Sequence, residues 1–152
     1  PEPFLETLCP EAPPSASRIH RIQSAMPSAL AGSASVRSSR PLALVRGGLL
    51  YAVDALDAAH ALFQDDESPL ASYWHGMMHR REGDFANAQY WFRLASPILA
   101  PLDLLDFHPE TFTRRCAAAR SRPDFRELPA LLEAQRYEWE TLLQFSLQAA
   151  LE

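Results

Sequence analysis

The sequence predicts an all-α protein, and three observations carry that expectation. From Leu42 onward, apolar residues recur at intervals of three and four along most of the chain. Nowhere does apolar–polar alternation persist as a half-buried strand requires. Gly47 and Gly76, Ala59 and Ala88, and Phe63 and Phe92 are each separated by 29 positions. A repeated helical hairpin explains that offset, since one hairpin alone leaves its apolar face uncovered. The expected architecture is about six helices: two stacked hairpins closed by a long C-terminal helix.

Residues 1–41 carry Pro, Ser and Ala clusters with weak periodicity. They are expected as a loop or a clasp over the domain, with room for a short helix around Ile19 to Met26. A single helical domain then spans 42–152. Its first helix places Leu42, Val45, Leu49 and Leu50 on one face. The second starts near Asp54 or Asp57 and has Ala58, Ala59, Leu62 and Phe63 as its stripe, ending at DDESP, 65–69. A third helix is expected from about Pro69 to Arg81 and a fourth from about Phe85 to Ala95. Gly83 between them can take the left-handed turn. Pro97 and Pro101 bracket an apolar connector, and LDLLDFHPE then leads to a helix near Glu110–Arg120. After the break RSRPD, the last helix runs from about Leu128 to Leu151. Its stripe is Leu128, Leu131, Leu132, Gln135, Trp139, Leu142, Leu143 and Leu147.

Composition excludes several function classes. The 152 residues suffice for one domain with a real core. All 14 basic side chains are arginine, which reads as the codon bias of a GC-rich genome. Net charge is −5 and no basic block occurs, which disfavours nucleic-acid binding. No apolar run approaches the roughly 20 residues of a membrane span. Pro1, Glu2 and Pro3 do not open a secretory signal; Cys9 and Cys116 are far apart in sequence, and two cysteines suggest no disulfide framework. A reducing, cytoplasmic setting is the expectation.

Gly76, Gly83, Phe85, Ala88, Phe92 and Ala95 stand at the spacings of small and large packing positions in the tetratricopeptide repeat. The segment 72–95 resembles that family, and the resemblance covers about two hairpins. The period of 29 departs from the family's roughly 34. His75 and His79 replace residues that the family keeps apolar or aromatic. The longer pattern WHxxxHRREGDxxNAxYWxR, Trp74 to Arg93, resembles a small group of bacterial and fungal helical proteins. That second resemblance implies a helical fold and no particular reaction.

The candidate chemistry lies in the same segment. His75 and His79 are one turn apart on one helix face, a spacing at which two imidazoles can share a divalent transition metal such as zinc. Further ligands are sought in His60, His108 and Glu82, the last as ligand or as a partner that orients a ligand. Position 76 is glycine, so the HExxH metalloprotease motif is absent. The competing explanation is that both histidines are buried and hydrogen-bonded, fixing the hairpin stack.

Arg80, Arg81, Glu82 and Asp84 read as a solvated charged run, favourable at a helix C-terminus, with a pairing of Arg80 or Arg81 with Asp84 that fixes the turn as the alternative. Tyr73, Trp74, Tyr90, Trp91 and Phe92 read as core, yet three consecutive aromatics cannot share one helix face. Tyr90 and Trp91 are therefore candidates for a second surface. Cys116, in RRCAAAR, reads as a small buried residue rather than a nucleophile.

Two functions compete. One is a non-catalytic interaction or scaffold module that presents Trp74, Tyr90, Trp91 and Arg93 to a protein or peptide partner. The other is a small-ligand or metal-binding protein, open to catalysis, centred on His75 and His79. An uncovered apolar strip on the long helix would also allow a homodimer.

Overall fold

The computed structural model describes residues 6–32, 34–104, 107–122 and 126–152. Among these are eight α-helices, one 3₁₀ turn and no strand. The all-α expectation holds; the helix count is higher than the expected six or so. In chain order the elements are α1 (Ala16–Ser24), α2 (Pro27–Leu30), α3 (Ser39–Ala52), α4 (Leu56–Phe63), α5 (Pro69–Glu82), α6 (Phe85–Leu94), the 3₁₀ turn Ser96–Ile98, α7 (Pro109–Arg120) and α8 (Leu128–Leu151). None of these helices is long and apolar enough to cross a membrane. Positions 105–106 of the expected connector and 123–124 of the RSRPD break lie outside the described residues.

The two additional helices, α1 and α2, fall in the segment expected as loop or clasp. Ile19 and Ile22 of α1 pack against the core. Arg46 of α3 then donates to the carbonyls of Ile22, Gln23 and Ala25 at 2.5, 2.6 and 2.8 Å. Those carbonyls lie at the end of the helix, where only Ile22 has a backbone donor, the Ala25 amide at 3.4 Å, so one guanidinium caps α1 from a distance. That contact is invisible in local periodicity.

α3 pairs with α4, and α5 with α6. In each hairpin a glycine of the first helix meets a phenylalanine of the second. A Cβ on Gly47 would come within 2.3 Å of Phe63, and one on Gly76 within 2.9 Å of Phe92. α5 is the centre of the molecule: every residue from Leu70 to Arg81 is buried. Ser68 caps its start by accepting from the Ala71 amide at 3.2 Å, with Pro69 in the first turn. Gly83, at φ 85°, ends it in a Schellman arrangement. The Gly83 amide donates to the Arg80 carbonyl, and the Asp84 amide to that of His79 at 2.9 Å. Asp84 then caps α6 by accepting from the Asn87 amide at 3.1 Å.

α8 is held to the core by Leu142, Leu143 and Phe145 and by polar contacts. Trp74 Nε1 donates to Ser146 Oγ at 3.0 Å, Trp139 Nε1 to the Gly48 carbonyl at 2.9 Å, and Tyr73 to Glu138 at 2.9 Å. Near its end, the Ala150 carbonyl accepts the amides of Arg37 and Ser38, the latter at 3.2 Å, just ahead of α3. Phe112, Cys116 and Ala119 of α7 close a smaller apolar cluster with Leu8 and Leu131.

The expectation that Arg80 and Arg81 are solvated is overturned. Both are buried, at 1% and 0% exposure. Arg80 pairs with Glu138 and lies over the rings of Phe92 and Phe112. Arg81 pairs with Asp54 and donates to the carbonyl and hydroxyl of Thr7 in the N-terminal segment. Gln135, the polar residue within the α8 stripe, also donates to the Thr7 carbonyl, at 3.1 Å. Neither arginine pairs with Asp84, whose side chain caps α6 instead.

Candidate metal centre

The helical spacing of His75 and His79 brings their rings into a stack, with centroids 4.8 Å apart at 19°. His60, on the facing helix α4, approaches both, at 4.7 Å from His75 and 5.7 Å from His79. The three residues offer nitrogens that all lie within 4.8 Å of one another. Zinc–imidazole bonds of about 2.0–2.1 Å in a tetrahedron put neighbouring nitrogens roughly 3.4 Å apart. The nitrogens therefore need to draw together by up to about 1.4 Å to share one ion.

His75 is the most unusual member. It is 3% exposed, and neither ring nitrogen has a hydrogen-bond partner. Its other face lies flat on Trp91, with centroids 3.9 Å apart at 16°. Burial, and then the neighbouring His79 and His60, push its pKa down to about 4, so the ring is neutral at ordinary pH. A neutral, desolvated imidazole with a free lone pair is the protonation state that a metal requires.

His79 is oriented from both sides. Its Nδ1 lies 3.0 Å from Glu82 Oε2, and its Nε2 lies 3.1 Å from Asn87 Nδ2. With the Glu82 carboxylate as acceptor, the tautomer that satisfies both contacts carries its proton on Nδ1 and turns the Nε2 lone pair to the Asn87 side-chain amide. Glu82 lies on the Nδ1 side of His79, outside the group of three histidines.

The remaining candidates are dispersed. His108 is exposed, holds φ 49° before α7, and does not belong to the group of three. Its inclusion as a ligand is corrected: the connector leads the chain to α7 and not back to α4 and α5. Trp74 is also corrected as a partner-facing residue. It is fully buried, stacked on Phe63 at 5.8 Å, and bonded to Ser146. Trp91 is half-buried against His75, while Tyr90 is 51% exposed and meets Trp91 edge-on. Arg93 is exposed in the last turn of α6.

Sequence reasoning missed Asn87. The signal was present in the quoted motif, where an asparagine follows the second histidine by eight residues and so returns to it across the turn. Three imidazole nitrogens this close to one another are a donor set for a borderline transition ion, and the set lacks the carboxylate cage of calcium or magnesium.

Compared with known proteins, the chain matches no family model, no curated protein and no solved structure.

Proposed function

We propose that this chain is a transition-metal-binding helical protein whose ion is held by His60, His75 and His79. The observation that carries this reading is the His75 ring: buried, neutral, with two unbonded nitrogens, and flanked by two further imidazoles. A purely structural buried histidine is expected to have its nitrogens bonded. Leaving such a group unsatisfied costs about 1–3 kcal/mol, which a metal bond at the nitrogen bearing the lone pair would offset for that one of the two. Three imidazoles suit zinc, copper, nickel or iron. The two free cysteines and the absence of a membrane-spanning helix among the described residues support a cytoplasmic setting for it.

A second reading, an interaction module for a protein or peptide partner or a second copy, draws on Tyr90 and Leu94. They are one turn apart on α6 and 51% and 46% exposed. The likeness to tetratricopeptide hairpins supports that reading too. It ranks below the metal reading because Trp74 lies in the core and Trp91 covers His75, which leaves Tyr90 and Arg93 as the outward members of the expected surface.

The test uses untagged protein stripped with chelator and then offered zinc, nickel or copper. Native mass spectrometry should report one ion per chain, with a rise in melting temperature. The half-buried His60→Ala variant should weaken both effects, and His75→Ala/His79→Ala should abolish them. Equal metal uptake by the double variant would overturn the reading.

A further inference from the structure

Three histidines leave one position of a tetrahedral ion to be filled, and the geometry points to a residue outside the histidine set. We propose that the Asn87 side-chain oxygen is the fourth ligand, closing the site; this rests on the metal reading above. Asn87 places a terminal amide atom 3.1 Å from His79 Nε2. That nitrogen is the one His79 keeps for an ion, because Nδ1 is committed to Glu82. A separation of 3.1 Å is close to the roughly 3.4 Å between two ligands of one tetrahedral zinc. The amide thus already stands at ligand spacing from His79.

Its placement is fixed by the chain around it. Gly83 turns the backbone out of α5, Asp84 caps α6, and that cap is made to the Asn87 amide itself. The residue therefore enters the first turn of α6 at a set height opposite His79.

Asparagine also answers a requirement that changes with the ion. Without metal, the Nε2 lone pair needs a donor, and Asn87 Nδ2 supplies it. With metal on Nε2, an N–H would face a cation. Half a turn about the terminal torsion brings Oδ1 to the same place, and that torsion is broad and close to two-fold. Aspartate offers an acceptor in both states, and leucine offers nothing in either. The amide serves both, so Asn87 acts as a latch that changes face when the ion enters. Four protein ligands leave no place for a bound water, which makes this a holding site rather than a hydrolytic one.

The experiment compares untagged wild type, Asn87→Ala and Asn87→Asp after cobalt(II) loading. It reads stoichiometry by native mass spectrometry, affinity by chelator competition, and the visible cobalt spectrum during azide titration. Wild type should bind one cobalt with a four-coordinate spectrum that azide leaves unchanged. Asn87→Ala should bind at least about tenfold more weakly and show an azide-dependent spectrum, since a position has opened. Asn87→Asp should restore both the affinity and the indifference to azide. One cobalt per chain with equal azide response in wild type and Asn87→Ala would overturn the latch and leave the three-histidine site standing. Failure of wild type to take up any metal would overturn both.

Discussion

Arg81 and Asp54, 27 residues apart in sequence, form a buried two-pronged ion pair: Arg81 Nε and Nη2 donate to the two carboxylate oxygens at 2.6 and 3.0 Å. Removing one partner strands the other charge away from water. Arg81→Met is expected to cost about 3–5 kcal/mol in urea unfolding. Arg81→Lys should recover little, because an ammonium does not match both oxygens at once. Asp54→Asn isolates the charge, since asparagine tolerates the residue's φ of 60°. A loss below about 1 kcal/mol for Arg81→Met would show that the pair adds nothing beyond a surface ion pair.

Gly47 is pressed against Phe63, which is buried and stacks on Trp74. Alanine gains about 1 kcal/mol of helix propensity, but a Cβ placed there overlaps the ring, at a cost of about 1–3 kcal/mol. The overlap should win, and Gly47→Ala should lower stability by about 1 kcal/mol. Adding Phe63→Leu should bring the pair closer to additivity-breaking rescue than to two separate losses. Strictly additive losses in the double variant would refute the contact.

Trp91 reports on the site because its ring lies on His75. Copper(II) or nickel(II) bound by the histidines should quench Trp91 emission strongly at one equivalent. Trp91→Phe should keep the emission of Trp74 and Trp139 and lose most of that quenching. An undiminished quench in Trp91→Phe would place the ion elsewhere.

Stability should fall on the alkaline side. Burial pushes the Cys116 thiol up to about 11, with Glu138 and Cys9 adding to the rise and Arg80 and Arg115 opposing it. Burial likewise takes the Tyr51 hydroxyl to about 12. An unfolded thiol ionises near 9.0, so between that pH and about 11 the unfolded chain holds fewer protons than the folded one. Raising pH through that window therefore favours unfolding, by up to about 3 kcal/mol from the thiol. The urea midpoint should drop between pH 8.5 and pH 10.5, roughly the span of that linkage. Cys116→Ala, whatever its own cost, should flatten the slope; an unchanged slope would refute the assignment.

Much of the helical framework was legible because its signals are local. Pro69, Gly83 and Asp84 mark the ends of α5 and α6, and the 29-residue offset marks the two glycine–phenylalanine contacts. The stacked pair His75 and His79 was legible for the same reason. What escaped depends on distant partners. Arginines at the end of a helix look solvated until Glu138 and Asp54 arrive from α8 and from the turn before α4. α1 lacks a buried residue of its own and leans on Arg46 of α3. The α8 stripe gave one hint: Gln135 is polar yet buried, and Glu138 lies one turn beyond it. Polar residues on an apolar seam signal buried partners: Arg80 and Tyr73 for Glu138, and the Thr7 carbonyl for Gln135.

The Ala150 carbonyl, which takes two backbone donors from Arg37 and Ser38, stitches the doorway of α3 to the final turn of α8. Damage at either place is thus felt at both. Trimming the chain from Ala150 onward should make the peptide bonds around Arg37 newly vulnerable to trypsin, far away in sequence from the cut that caused it.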